Sequence, residues 1–357
     1  MSMSKSELNG WKVFNPNSHI TPPSTITAEP VIQWRSTLSF QVNGEEHVLP
    51  NNISPRTTLA EYLRNHAGLT GTKIGCNEGG CGACTVVLSY ETDGNTRHVP
   101  VNSCLRPVAS CDGMSIKTVE GIGSKKKGLH PIQSRMVECN ASQCGFCTPG
   151  WVSNMYGLLL NNAKPSVDEI QDHFDGNICR CTGYRSILSA MGSFANGKNK
   201  KSTSSCRKTC GQGISYKKSI DIEDLCAKIP HHSIDNNKSN QCNNSAYNKS
   251  SISELPLCLV TDECTWYTPN NLEQLISCIK TAGKTPSDVE IILGNTASGI
   301  LKYYDGSVFG TRQQTRPKSV VVELRRVAEM HGYSVGTDGS ITIGGAKSIN
   351  ELISLLK

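Results

Sequence analysis

The sequence predicts an α+β multidomain chain, in which a small α+β domain is followed by a four-helix bundle, a linker and the first part of another α+β domain. Three observations predict this order. Polarity alternates around Asn43-Gly44, apolar residues recur at helical spacing from His130, and strands return after a stretch rich in Ser, Asn and Lys. The boundaries are a disordered extension over 1–34, domains over 35–122 and 123–197, a low-complexity linker over 198–261, and a partial domain over 262–357.

The first domain begins with a predicted hairpin. Leu38, Phe40 and Val42 alternate with polar residues, and Asn43-Gly44 is the dipeptide typical of a type I′ turn. A helix follows at 58–61, where the sequence TLAE has the form of a capping box. A loop with four glycines then leads to a strand at 85–88.

Helices dominate the second domain. Pro131 opens a helix that we expect to run to about Cys139, and an apolar stripe follows over 152–159. A second capping box at 166–169 starts a third helix, and a last apolar stripe lies over 187–194. Four helices in this length indicate a small helical bundle.

In the third segment, Asn270 is the predicted N-cap of a helix, with Glu273 three residues on. The predicted apolar face of that helix carries Leu272, Leu275, Ile276 and Ile279. Strands are predicted at 289–293, 320–322 and 341–343, and another helix from 348. The chain stops at Lys357 without a helix C-cap, so we expect this domain to be cut short.

Composition limits the compartment and the partners. The chain has 17 cysteines, an apolar signal segment is missing from its first ten residues, and no apolar run approaches the roughly 18 residues of a membrane span. Unsecreted and cysteine-rich chains are typically metal-binding rather than disulfide-bonded. The net charge of +6 lacks the interleaved aromatic residues of a base-stacking surface. We expect a cytoplasmic protein, with the peroxisome as the alternative, and neither nucleic acid nor membrane as a partner.

Eight of the cysteines form two sets with different spacings. The first cysteine set is C-x4-C-x2-C-x19-C, the spacing of plant-type [2Fe–2S] ferredoxins. Structural zinc sites instead use paired C-x2-C units, so zinc is the alternative that this spacing disfavours. The set consists of Cys76, Cys81, Cys84 and Cys104.

The second cysteine set is C-x2-C-x31-C-x1-C. Each of its two pairs precedes a predicted helix, so two helix N-termini would point at one anionic centre. Taken alone, this set leaves zinc and an iron–sulfur cluster both open. Its position after a ferredoxin-type set favours a second [2Fe–2S] cluster. The set consists of Cys144, Cys147, Cys179 and Cys181.

Three stretches resemble the xanthine dehydrogenase/aldehyde oxidase family of molybdenum hydroxylases: GCNEGGCGACTVVLS, SQCGFCTPG and GNICRCTGYRSI. VEGIG at 119–123 and LHPIQ at 129–133 are also similar to that family. The resemblance is close over 36–197 and looser over 262–357. It implies a β-grasp ferredoxin-like [2Fe–2S] domain, a helical [2Fe–2S] domain, the first part of an FAD-binding domain of the PCMH type, and a molybdopterin domain outside this chain.

The resemblance also implies two further cofactor contacts. Gln143 corresponds to a glutamine that contacts the molybdopterin, although from the residues alone it is an ordinary polar residue near a helix end. The stretch IILGNTASG corresponds to the loop that holds the FAD pyrophosphate, although Gly-Asn-Thr by itself is also an ordinary turn. That stretch consists of Ile291, Ile292, Leu293, Gly294, Asn295, Thr296, Ala297, Ser298 and Gly299.

The function that these features predict is the electron-transfer portion of an oxidoreductase. Electrons would leave a molybdopterin centre, pass through the two [2Fe–2S] clusters to FAD, and reduce NAD or oxygen. The molybdopterin domain or subunit is therefore an expected partner, and the resemblance implies a homodimer for a full-length enzyme. The alternatives are a stand-alone iron–sulfur carrier, a small subunit of a multi-chain hydroxylase, and a structural zinc protein.

Overall fold

The computed structural model describes residues 32–92, 95–126, 128–195, 255–282, 289–294, 320–348 and 352–353. The predicted extension, apart from residues 32–34, and most of the predicted linker therefore lie outside the described residues. Among the helices of the described ranges, none is long and apolar enough to cross a membrane.

The first domain is a five-stranded mixed sheet with one helix, and it begins with the hairpin that the alternating pattern predicts. Asn43 (φ 55°) and Gly44 (φ 94°) both have the positive φ of a type I′ turn, which joins the first two strands. In the sheet order β2-β1-β5-β3-β4, β1 and β5 are parallel and the other pairs are antiparallel. The elements are β1 (Ser39–Val42), β2 (Glu45–Val48), α1 (Leu59–Asn65), β3 (Thr85–Thr92), β4 (Asn95–Asn102) and β5 (Ser115–Lys117).

The second region contains five helices, of which the first is a single turn. Trp151 lies at its centre with 1% of its surface exposed, and its ring packs 4.7 Å from that of Phe174. The last four helices share this one apolar core, because α3 contacts α4 and α6, and α5 contacts the same two helices. The helices are α2 (Val119–Ile122), α3 (Pro131–Glu138), α4 (Thr148–Asn161), α5 (Val167–His173) and α6 (Arg185–Gly192).

Both predicted capping boxes are present. The Thr58 hydroxyl accepts from Glu61 N at 3.2 Å while the Glu61 carboxylate accepts from Thr58 N at 3.1 Å. Ser166 and Glu169 make the same reciprocal pair at the start of α5. A third box, which the sequence pattern did not reveal, is centred on His130, whose imidazole accepts the hydrogen bond at the start of α3.

In its described residues, the third segment contains a four-stranded sheet, a helix that packs on it and a separate two-stranded hairpin. Its order is β6-β7-β9-β8, with β7, β9 and β8 parallel and β6 antiparallel to β7. The elements are β6 (Leu257–Val260), β7 (Thr265–Thr268), α7 (Leu272–Ala282), β8 (Val289–Ile292), β9 (Val320–Glu323), β10 (Tyr333–Val335) and β11 (Ile341–Ile343).

Three expectations for this segment were wrong. The linker was predicted to extend to residue 261, but β6 lies inside that range and pairs with β7. The N-cap of α7 is Asn271 rather than Asn270, because the Asn271 side chain accepts from Gln274 N at 2.9 Å. The buried face of α7 also differs, since Leu272 and Ile276 are more than 40% exposed whereas Cys278 is buried.

The sheet of the third segment shares one hydrophobic core with the first domain. Side chains alternate across a strand, so Val321 of β9 faces the first domain while Val320 and Val322 face α7. Ile292 of β8 lies on the same side as Val321. Two segments that the sequence predicts as separate domains therefore bury part of their apolar surface against each other. The third-segment members of this common core are Leu257, Leu259, Cys264, Trp266, Ile292 and Val321.

A buried carboxylate joins the same two regions. Asp112, whose side chain is 2% exposed, lies 2.5 Å from Nη2 of Arg35 and 2.5 Å from Nη2 of Arg326. Because isolated buried charges are costly, removing the common partner of two guanidinium groups leaves both uncompensated. Asp112 therefore connects the end of the first domain to the third segment.

We expect Asp112→Ala to lower the free energy of unfolding by about 3–5 kcal/mol, the usual effect of removing one partner of a buried ion pair. The measurement is urea unfolding of the metal-loaded chain followed by tryptophan fluorescence. Glu138→Gln is the control, because it removes a half-exposed pair with Arg135 on α3 and should cost about 1 kcal/mol or less. Equal losses in the two variants would contradict the assigned role of Asp112.

Candidate iron–sulfur sites

The first cysteine set lies at one end of the first domain. Three members lie in the 75–84 loop between α1 and β3, and Cys104 follows β4. Cys84 and Cys104 are buried against Ala60 of α1. The Ser103 hydroxyl donates to the Cys84 carbonyl at 2.6 Å, which holds the two chain segments together.

The backbone of this loop turns sharply at Asn77 (φ 60°), Gly79 (φ 76°) and Gly82 (φ 67°). Glycine tolerates such angles, so the loop glycines are partly explained by backbone conformation. Gly75 has another role, because a Cβ there would lie 2.9 Å from the sulfur of Cys81. The positive φ of Asn77 had no signal beyond the tolerance of asparagine for this region.

The thiols of the first set form two pairs. A hydrogen bond with the Cys104 thiol is the main cause that lowers the pKa of Cys84 to about 7, and further hydrogen bonds add to it. The same contact with Cys84 raises the pKa of Cys104. For Cys76, burial raises the pKa, but hydrogen bonds led by the Glu78 N–H outweigh burial and lower it. Burial and then contact with Cys76 raise the pKa of Cys81. The two thiols of each pair are therefore in contact, and each shifts the pKa of the other.

The second cysteine set lies at the start of two helices. Cys147 is the N-cap of α4, so the first pair lies at a helix N-terminus, as predicted. The other pair lies further from its helix than expected, since α6 begins only at Arg185, with Tyr184 (φ 70°) as its N-cap. Cys144 and Cys181 are exposed, whereas Cys179 is buried.

The second set also forms two pairs. Burial and then contact with Cys179 raise the pKa of Cys147 to about 12. Burial raises the pKa of Cys179 too, but the hydroxyl and N–H of Thr182, both in contact with its sulfur, lower it overall. Cys144 has its pKa lowered by the Phe146 N–H and by the Cys181 thiol, whereas that of Cys181 is raised by Cys144.

This pairing fits a two-iron cluster. In a [2Fe–2S] cluster each iron takes two protein ligands, so four thiolates arrive as two pairs. A tetrahedral zinc ion would draw all four sulfurs to one centre. In the part of the chain that the structure describes, no group of three or more His, Cys, Asp or Glu side chains is arranged to hold one metal ion. N–H groups that lower thiol pKa values would stabilise the thiolates that iron requires.

The two cysteine-bearing regions are in direct contact. The N–H of Ile178, next to Cys179, donates to the carbonyl of Cys81 at 3.0 Å. Beside it, Nδ2 of Asn177 donates to the carbonyl of Gly82 at 3.3 Å. This backbone hydrogen bond therefore links Cys81, a ligand candidate of the first set, to Ile178, which is next to Cys179 of the second set.

Glycines permit this contact. A Cβ on Gly150, in the first turn of α4, would overlap the carbonyl oxygen of Gly82. A Cβ on Gly82 would lie 2.5 Å from the carbonyl oxygen of Gly176. The contact partners Asn177 and Ile178 had no signal in the sequence, because their role depends on how the two regions pack.

The remaining predicted site residues are only partly described. Gln143 is exposed beside Cys144, in the loop before α4. Of the predicted pyrophosphate stretch, Ile291 and Ile292 end β8, and Leu293 and Gly294 follow directly. Residues 295–299 lie outside the described residues. The ligand for this stretch and for Gln143 stays a prediction.

Comparisons with protein-family models find both iron–sulfur domains. The 2Fe-2S iron-sulfur cluster binding domain matches residues 40–109, which include all four members of the first cysteine set. The [2Fe-2S] binding domain matches residues 118–192, which include the whole second set. The chain therefore has two [2Fe–2S] domains in tandem, and it is an iron–sulfur protein of the electron-transfer class.

Relatives of known name narrow this class. Xanthine dehydrogenase from Oryza sativa subsp. japonica is 35% identical over 354 residues, covering 91% of this chain and 24% of that protein. Aldehyde oxidase 1 from Rattus norvegicus is 51% identical over 159 residues, covering 44% of this chain and 12% of that protein. The solved quinoline 2-oxidoreductase from Pseudomonas putida 86 is 38% identical, covering 48% of this chain and 96% of that chain, with a TM-score of 0.39.

The chain belongs to the xanthine dehydrogenase/aldehyde oxidase family, as its motifs predicted. It spans about a quarter of the length of the xanthine dehydrogenase from Oryza sativa that it matches, and a smaller share of the aldehyde oxidase. The two family-model matches establish the two [2Fe–2S] domains. The named relatives establish that the chain belongs to a family of oxidoreductases.

We expect Cys81→Ser to remove one of two [2Fe–2S] signals in the EPR spectrum of the dithionite-reduced chain, and to lower iron from about four to about two atoms per chain. The reason is that each cysteine set supplies its own ligands. Cys139→Ser, a half-buried cysteine outside both sets, is the control and should retain both signals. Loss of both signals from Cys81→Ser would show that the two sites do not load independently.

We also expect Gly150→Ala to weaken the contact between the two cysteine-bearing regions, because its methyl group would overlap the Gly82 carbonyl. Gly192→Ala is the matched helical control, since nothing lies within 4 Å of a Cβ there. Alanine normally stabilises a helix by about 1 kcal/mol relative to glycine, so the control should be neutral or stabilised in urea unfolding. A Gly150→Ala variant as stable as the control would disprove the close approach.

Proposed function

We propose that this chain is the electron-transfer portion of a xanthine dehydrogenase/aldehyde oxidase-like oxidoreductase. It would carry electrons from a molybdopterin centre outside residues 1–357 to FAD and then to NAD or oxygen. Two [2Fe–2S] clusters would supply the one-electron chemistry. The observation that carries the proposal is the hydrogen bond from Ile178 N to the Cys81 carbonyl, which brings the two sets of ligand candidates into contact.

The chain's own residues contribute binding, positioning and electrostatics. The two cysteine sets would each hold one cluster, and the N–H groups of Glu78, Phe146 and Thr182 would stabilise the thiolates. Asn177 and the glycines at 82 and 150 keep the two regions close. Proximity matters because the rate of electron transfer falls steeply with the distance between the redox centres.

The outer ends of the path are part of the same proposal. Exposed Gln143 lies beside exposed Cys144, which supports a role for this surface in meeting a molybdopterin domain or subunit. The four-helix bundle rests on the helical periodicity from His130, and a cytoplasmic or peroxisomal location rests on the composition. The PCMH-type assignment of the third segment, FAD at 291–299 and a homodimeric full-length enzyme rest on the family resemblance. The four parallel and antiparallel strands β6–β9 with α7 are compatible with such an α+β domain.

The test is metal analysis together with EPR of the dithionite-reduced chain. We expect about four iron and four inorganic sulfide per chain and two distinct [2Fe–2S] signals. Zinc without iron would overturn the proposal in favour of a structural zinc protein. Two signals in a chain that neither binds FAD nor associates with a molybdopterin domain would instead favour a stand-alone iron–sulfur carrier.

A further inference from the structure

The first domain places a buried arginine against the third segment. Arg106, two residues after Cys104, is 7% exposed, and its backbone is held by a 2.7 Å hydrogen bond from Leu59 N to its carbonyl. Its side chain reaches Gly294, where a built Cβ would lie 2.6 Å from Nη1. Gly294 lies two residues beyond Ile292, the last residue of β8, so the guanidinium lies near the carboxyl end of that strand.

The charge of Arg106 is not neutralised by the carboxylates of this interface. Its Nη2 donates to the Ser110 carbonyl at 2.8 Å, and among the described residues its buried Nε has no hydrogen-bond partner. No described carboxylate forms an ion pair with it. A buried guanidinium without an anion is unfavourable.

The surrounding charges do not correct the imbalance. Among the described residues of this interface, five arginines contribute ion-pairing or buried guanidinium groups against three carboxylates, which leaves two positive charges in excess. Each of those carboxylates already pairs with another arginine. The arginines are Arg35, Arg56, Arg106, Arg325 and Arg326, and the carboxylates are Asp112, Glu290 and Glu323.

The position of this excess charge is suited to a phosphate. Ligands of sheets with parallel strands bind outside the carboxyl ends of those strands, and β8 and β9 are parallel with these ends side by side. Gly294 has φ 72°, and backbone of this conformation can direct N–H groups toward an anion. The guanidinium fork matches the oxygens of a phosphate better than an ammonium does.

We propose that Arg106 binds a phosphate of the flavin nucleotide at the carboxyl end of β8. The domain that carries the first cysteine set would then supply part of the nucleotide site directly, rather than only packing against it. This inference rests on the proposed function for the identity of the nucleotide. Arg106 acts as a binding residue, and its backbone position is fixed by α1.

The test is calorimetric titration of the metal-loaded chain with inorganic pyrophosphate, FAD and riboflavin, which lacks phosphate. We expect Arg106→Gln to weaken pyrophosphate and FAD binding about tenfold or more, since it removes a charged hydrogen-bond donor. Riboflavin binding should not change. Arg106→Lys retains the charge and so protects folding, and it should weaken pyrophosphate binding less than Arg106→Gln does.

Two further variants make the result specific. Gly294→Ala should reproduce the loss from the other side of the site, because its methyl group would displace the guanidinium. Arg56→Gln, which removes an ion pair with Glu290 on the same interface, is the control and should bind pyrophosphate like wild type. Iron content and tryptophan fluorescence check that each variant is folded.

The outcomes separate this inference from the proposed function. Wild type and a folded Arg106→Gln variant that bind FAD equally would overturn the inference and leave the proposed function standing. Failure of wild type to bind pyrophosphate would also overturn it, whatever the EPR spectrum shows. If pyrophosphate binding depends on Arg106 but FAD binds no more tightly than pyrophosphate, the assignment of the ligand as a flavin nucleotide is overturned.

Discussion

The backbone contact between the two cysteine-bearing regions is the constraint on which the rest of the structure depends. Ile178 N donates to the carbonyl of Cys81, so a sheet domain and a helical region meet through the loops that carry their ligand candidates. A main-chain hydrogen bond leaves little freedom in distance or orientation. Because the loops must approach this closely, glycine is needed at 82 and 150, where a side chain would collide with a carbonyl oxygen.

The third segment is held to the first domain by means that resemble the inside of a domain. Trp266 and Val321 lie in the same core as the first sheet, and Asp112 joins arginines from both sides. The apolar contact favours association without directing it, whereas the buried charges favour one arrangement. The shared interface also places Arg106 at the end of β8. We assign its unbalanced positive charge to the binding of an anion rather than to the stability of the fold.

Local sequence signals predicted the individual elements well. The Asn43-Gly44 turn has both positive φ angles, and the capping boxes at Thr58 and Ser166 make both of their hydrogen bonds, because these features depend on residues within four positions of one another. The linker prediction and the predicted buried face of α7 were wrong because they depended on packing with distant segments. The N-cap prediction at Asn270 missed by one residue for a local reason, since it is Asn271 that accepts from Gln274 N. A short strand such as β6 has little signal of its own until β7 lies beside it.

The sequence by itself determined the chemistry of the candidate sites. Spacing separated the cysteines into two unlike sets, since ligand type and interval are properties of the chain that folding does not alter. Only the tertiary structure decided which thiols pair, which groups lower their pKa values, and that Cys81 and Ile178 are neighbours. It also decided that Arg106 meets Gly294. The contacts of Cys81 with Ile178 and of Arg106 with Gly294 join residues that are about one hundred to nearly two hundred positions apart, and a local pattern contains no information on which distant surfaces will pack together.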